Sequence, residues 1–106
     1  MADDLNFQQI SSVQSSGMLG GGSRTIASAA TIAPTTFFTL ITGTTQLVTI
    51  TPPVTGAHML VFRFSGAMGV FSTAGNILTG ADPGVDIATI MVYDPLIAKY
   101  IPGAIS

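Results

Sequence analysis

From Thr25 onward, apolar residues occur only in short runs, and Thr, Ser, Gly, Pro or Asn interrupts each run. This pattern is typical of β-strands joined by turns, and every run falls short of the roughly 20 apolar residues that a membrane-spanning helix needs. Eleven of the fourteen threonines lie between Thr25 and Thr55. Because β-branched side chains favour the pleated surface of a strand over a helix, the chain is predicted to be all-β.

The runs predict seven strands, near residues 25–32, 36–41, 46–51, 58–65, 76–79, 86–93 and 97–101. Turn residues separate them, among them Pro52-Pro53 and the segment Asp82-Pro83-Gly84. Short strands at roughly ten-residue spacing indicate an antiparallel β-sandwich or a jelly-roll-like barrel. One β domain over residues 25–106 is therefore expected.

Residues 1–24 have a different composition, rich in Ser, Gln and Gly. Such a segment buries little apolar surface by itself, and we interpret it as an extended N-terminal arm. Leu5, Phe7, Ile10 and Val13 are spread along it and are suited to insertion, one by one, into pockets on a neighbouring subunit.

Two predicted strands are apolar on both faces. In the strand from His58, one face carries Leu60, Phe62 and Phe64, and the other face carries Met59, Val61 and Arg63. In the strand near residues 86–93, the corresponding second face carries Ala88, Ile90 and Val92. A strand at the surface of an isolated sandwich is polar on its outer face, so Met59, Val61, Ala88, Ile90 and Val92 are predicted to form an oligomer interface.

The composition also indicates that copies of the chain associate. The chain is 47% hydrophobic and only 8% charged, whereas an ordinary soluble domain is about 25% charged. A surface this poor in charge favours association between copies. The formal net charge is −2 with only three basic residues, so a nucleic-acid partner is not expected.

Few residues are suited to catalysis. The chain has one histidine, His58, and no cysteine, and its five acids include no glutamate. The segment from Asp82 to Asp86 lacks the oxygen-rich spacing of a calcium loop, and the glycines between Gly17 and Gly22 follow no strand and precede no Lys-Ser/Thr pair. We therefore expect no enzymatic activity, no cofactor and no metal site; a ligand-binding barrel or a small hydrolase is the weakest of the alternatives.

A string of turn residues and β-formers resembles a pattern found in small virion proteins of tailed bacteriophages. It comprises Thr42-Gly43-Thr44-Thr45, Val48, Ile50, Pro52-Pro53, Gly56, Leu60, Phe62, Gly66, Gly75-Asn76-Ile77-Leu78 and Met91-Val92-Tyr93-Asp94. The pattern often has a tryptophan soon after Tyr-Asp, where this chain has Lys99-Tyr100.

The resemblance implies a capsid decoration (cement) protein, or the distal or attachment domain of a head or tail fibre. Proteins of this kind are typically antiparallel sandwiches that assemble as trimers. The expected partners are then the major capsid protein, contacted by the arm, and other copies of the chain. The acidic start of the chain has no basic or apolar leader, so neither secretion nor a membrane partner is expected. The resemblance implies synthesis in the host cytoplasm and residence on the capsid surface.

Overall fold

The computed structural model describes residues 22–103. These residues form an all-β fold, as the sequence predicts. The strands are β1 (Ser23–Ala27), β2 (Thr31–Ile32), β3 (Phe38–Thr42), β4 (Thr49–Ile50), β5 (His58–Phe64), β6 (Ala88–Asp94) and β7 (Lys99–Pro102). β1 begins two residues inside the segment that the sequence assigns to the arm.

The strands form two sheets. The larger has five strands in the order β1-β3-β5-β6-β7, and the smaller pairs β2 with β4. β5, β6 and β7 are antiparallel neighbours, but β1, β3 and β5 run parallel to one another. The expectation of a wholly antiparallel sheet is therefore wrong for this half. The chain leaves the large sheet after β1 and again after β3, passes through the small sheet, and returns in its original direction.

The same crossings explain why several predicted strands have different bounds. The run at 25–32 is divided between β1 and β2, because the chain changes sheet after Ala27. The run at 76–79 is not a strand and makes one isolated parallel bridge, from Ile77 to Tyr100. The strand predicted from residue 86 begins at Ala88, since Asp86 has a φ of 58°, which is incompatible with an extended strand.

The core lies on one face of the large sheet, here called its inner face, and includes Ile32 and Ile50 of the small sheet. Leu60, Phe62 and Phe64 are buried there, as the alternation along β5 predicts. Phe64 packs edge-on against both Phe62 and Phe71. The buried apolar set is Ile32, Ile41, Leu47, Ile50, Leu60, Phe62, Phe64, Met68, Phe71, Ile77, Met91 and Tyr100.

Asn76 joins the two sheets. Its side-chain amide donates to the Ile50 carbonyl (2.7 Å) and accepts from the Ile50 amide (2.8 Å), so it pairs with β4 as a neighbouring strand would. Its backbone carbonyl accepts from the Tyr100 amide of β7 (2.7 Å). Asn76 thus links the edge of the small sheet to the edge of the large one.

Replacing Asn76 with Ala is expected to lower the free energy of unfolding by about 2 kcal/mol or more. Each buried backbone group left unpaired costs about 1–3 kcal/mol, and the substitution removes the partner of both polar groups of Ile50. Urea unfolding measures the effect. Gln46→Ala is the control, because it removes an exposed side-chain amide that bonds one carbonyl, that of Val70. Equal losses in the two variants would contradict the linking role of Asn76.

Candidate interaction surface

The outer face of the large sheet brings together all five residues that the sequence assigns to an oligomer interface. On the two central strands Met59 lies opposite Val92, and Val61 lies opposite Ile90. Ala88 lies opposite Arg63 in the next pair. Because side chains alternate along a strand, these residues point away from the core.

The apolar surface extends beyond the predicted residues. Phe38 of β3 is in register with Val61, and Ile101 of β7 is opposite Val92. Leu40, two residues after Phe38, points the same way and is likewise half-buried. Sequence reasoning missed these three residues. Alternation along β3 separates Phe38 and Leu40 from Thr39, but the buried face is the one that carries Thr39, against the usual preference of apolar residues for the core. We call Phe38, Leu40, Met59, Val61, Ala88, Ile90, Val92 and Ile101 the outer patch.

Charged residues lie only at the margins of the outer patch. Arg63 forms an ion pair with Asp86 (2.7 Å), in which both side chains are largely exposed. Asp94 and Lys99 face each other across β6 and β7. An exposed ion pair such as that of Arg63 with Asp86 contributes about 0–1 kcal/mol. The centre of the patch is uncharged, and Val92 is 41% exposed.

A second apolar feature lies at the turn between β6 and β7. Leu96 is 91% exposed at its tip, and Ile97 is 46% exposed. Beside it runs a shallow groove of about 410 Å³, lined by residues 52–56 together with Tyr93 and Pro95. The groove lining is mostly apolar, and the Tyr93 phenol is its one titratable group.

His58 is held in a hydrogen-bonded cluster. Its Nδ1 lies 2.9 Å from the Gly56 carbonyl, which can only accept, so Nδ1 carries the proton. The other ring nitrogen, Nε2, therefore accepts from the Tyr100 hydroxyl (2.6 Å). The imidazole also stacks on Tyr93. Both ring nitrogens are used in buried contacts with the protein, which makes His58 a structural residue.

Burial raises the pKa of the Tyr100 phenol well above its usual range, and the neighbouring Tyr93 adds to the rise. Above pH ~10 an unfolded tyrosine loses its proton, while folded Tyr100 keeps it. The free energy of unfolding is therefore expected to fall as the pH rises above about 10. Tyrosinate absorbance and circular dichroism, followed together against pH, measure this. Tyr100→Phe should weaken the alkaline loss; an unchanged loss in that variant would contradict the assignment.

The acidic loop before β6 has partners within the chain. The Asp82 carboxylate accepts from the Gly84 amide (2.9 Å), which closes a tight turn in which Gly84 has a φ of 78°. The Asp86 carboxylate is paired with Arg63. Within residues 22–103, no three His, Cys, Asp or Glu side chains cluster closely enough to hold a metal ion.

The predicted contacts of the arm, Leu5, Phe7, Ile10 and Val13, lie outside the described residues. In comparisons with family models, with curated proteins and with solved structures, the chain has no match. None of the described residues belongs to a helix long and apolar enough to cross a membrane.

Proposed function

We propose that this chain is a structural protein of a phage virion: a capsid decoration (cement) protein that oligomerises on the head and grips coat subunits with its N-terminal arm. The observation that carries the proposal is the outer patch, a sheet face with an uncharged centre that residues 22–103 leave partly exposed. Such a face favours burial against other copies of the subunit. The proposed assembly is a homotrimer, and the proposed partner is the major capsid protein.

The residues of the virion-protein pattern also support a structural role. A Cβ at Gly66 would collide with the Gly43 carbonyl oxygen, and a Cβ at Gly75 would collide with the Val48 carbonyl oxygen. Both glycines therefore mark places where two loops cross at backbone contact. The pattern thus includes residues at loop crossings and the Asn76 link between the sheets, which suits a scaffold.

We further propose that the architecture is a variety of β-sandwich. In this view the five-stranded sheet is one layer, and the β2–β4 sheet with the loop between β5 and β6 is the other. One buried cluster contains residues of both proposed layers, such as Phe62 of the large sheet, Ile50 of the small sheet and Phe71 of the loop, which supports this arrangement.

The proposed role of the arm in attachment is tested by deleting residues 1–22 and measuring the binding of the truncated protein to undecorated heads of the parent phage. The deleted segment lacks the periodic apolar pattern of a core element, so the β domain is expected to fold and oligomerise without it. Binding to the heads should fall strongly, because Leu5, Phe7, Ile10 and Val13 are removed.

Point variants sharpen the same experiment. Phe7→Asp should weaken attachment, while Gln8→Asp, which adds the same charge one residue later, should leave it nearly unchanged. Decoration by the truncated protein as tight as that by the full chain would show that the arm is not the clamp. Loss of the oligomer on truncation would instead favour a fibre domain, in which the arm belongs to the trimer.

A further inference from the structure

The two edges of the large sheet differ in whether another segment hydrogen-bonds to them. At β7 the edge is covered: the Tyr100 amide donates to the Asn76 carbonyl, and the Leu78 amide donates to the Tyr100 carbonyl (2.9 Å). At the opposite edge, β1 pairs within residues 22–103 with β3 alone. Four of its five residues are exposed. An open edge of this kind is a template for another strand.

The free polar groups of β1 can be assigned. The Ser28 amide, just after the strand, donates to the Thr42 carbonyl (2.7 Å), so Ser28 points its polar backbone groups towards β3. Backbone groups alternate in direction along a strand, so Arg24 and Ile26 also point towards β3. The amides and carbonyls of Ser23, Thr25 and Ala27 consequently point out of the sheet, where they need a partner.

Arg24 indicates the charge of that partner. Its guanidinium donates to the Thr35 hydroxyl (3.1 Å), which is neutral. Among the described residues the only ion pair is the one between Arg63 and Asp86. A strand that carries a carboxylate opposite Arg24 would therefore form a favourable opposite-charge pair with its guanidinium. The chain has two acids ahead of β1, Asp3 and Asp4.

The spacing of the existing parallel strands fits the same segment. The register partners Ser23 and Phe38 are 15 positions apart, and Phe38 and Val61 are 23 apart. Asp4 and Arg24 are 20 positions apart, between these two values. A strand from residue 4 would thus repeat the crossover that links β1 to β3 and β3 to β5.

We propose that residues 4–8 of the unassembled chain add to the open edge of their own β1 as a further parallel strand. Asp4 then lies opposite Arg24. In the same register Leu5 lies opposite Thr25, and Phe7 lies opposite Ala27, both on the outer face of the sheet.

Packing on the outer face supports this register. The outward side chains of β1 are those of Ser23, Thr25 and Ala27, all small, and they leave Phe38 and Leu40 only half-buried. Large side chains on an added strand would reach the opposite and diagonal residues of β1, whose small side chains leave room for them. Leu5 and Phe7 would thereby extend the outer patch across β1.

This inference concerns the free chain and stands whether or not the chain is a virion protein. If it is, the two roles of the segment exclude each other, because Leu5 and Phe7 cannot contact β1 and a coat subunit at once. Coat binding would then release the segment from the edge, and the edge would stay covered until assembly.

Hydrogen exchange of the β1 amides tests the proposal in the full chain and in a variant that lacks residues 1–8. In the full chain the amides of Ser23, Thr25 and Ala27 should be protected, and the deletion should speed their exchange by about tenfold or more. The Ile26 amide, which faces β3, should exchange at the same rate in both proteins. Equal rates for Thr25 and Ala27 in both proteins would overturn the proposal.

Dilution distinguishes strand pairing within one chain from strand pairing with a second copy, because only pairing with a second copy depends on concentration. If the protection of Thr25 and Ala27 falls on dilution, another copy covers the edge and the proposal is wrong.

A charge exchange tests the register. Arg24→Asp should speed exchange at Thr25 and Ala27, and the added substitution Asp4→Arg should restore protection. Arg63→Asp, which leaves this edge untouched, is the control and should not alter the exchange of β1. Failure of the double variant to recover protection would exclude the proposed pairing of Asp4 with Arg24.

Discussion

Val61→Asp is expected to dissociate the proposed oligomer while leaving the subunit folded. Val61 lies at the centre of the outer patch, between Phe38 and Ile90. Burying an unpaired carboxylate in an apolar contact costs several kcal/mol, and each 1.4 kcal/mol is a tenfold change in an association constant. The dissociation constant should therefore rise by at least about 1,000-fold. Sedimentation equilibrium measures the change.

Thr31→Asp is the matched control for this substitution. Thr31 is exposed on β2 in the small sheet, outside the outer patch, and the same charge there should leave association unchanged. If Val61→Asp associates as tightly as the unmodified chain, the outer patch is not buried between copies.

Phe62→Ala is expected to lower the free energy of unfolding of the subunit by about 3–5 kcal/mol. The Phe62 side chain is 0% exposed and packs edge-on against Phe64 in the core. Total stabilities of domains of this kind are about 5–15 kcal/mol, so the loss is a large share of the whole. Chemical denaturation followed by circular dichroism measures it.

Phe38→Ala provides a comparison of equal size on the other face of the sheet. Phe38 is half-buried in the outer patch, so its loss should weaken association more than it weakens the core. If Phe62→Ala costs no more unfolding free energy than Phe38→Ala in the monomeric Val61→Asp background, the inner face does not carry the stability of the fold.

The two central strands could be predicted from the sequence because their alternation is strong and local. Along β5 every second residue is buried, from His58 to Phe64. The same period in β6 placed Ala88, Ile90 and Val92 on the opposite face. The two-residue alternation along a strand shows which residues share a face. Because β5 and β6 pair along their length, this alternation alone was enough to identify most of the outer patch.

The direction of the strands could not be predicted in the same way, because it depends on the path of the connections and not on the strands themselves. One signal was present. Thr31-Ile32 and Thr49-Ile50 are each followed two residues later by proline, at an interval of 18 residues. The structure pairs these segments in parallel, Thr31 with Thr49 and Ile32 with Ile50. A search for repeats of 20 to 50 residues does not detect so short an interval.

The candidate strand at 76–79 shows how a polar side chain can replace strand pairing. Ile77 and Leu78 read as a short apolar run, but the Asn76 amide occupies the edge of β4 in place of a backbone. Sequence patterns do not distinguish an asparagine in a turn from one that pairs with a distant strand, because the partner lies 26 residues away.

The most direct test of the account is the reactivity of a cysteine placed in the outer patch. The chain has no native cysteine, so Val92→Cys and Leu96→Cys each give a single labelling site. In the single chain both side chains are open to solvent, Val92 at 41% and Leu96 at 91%. At micromolar concentration the Val92→Cys variant should react with a maleimide at least about tenfold more slowly than the Leu96→Cys variant, and the added substitution Val61→Asp should abolish the difference. Equally fast labelling at the two positions would contradict the claim that copies of this chain bury the outer patch between them.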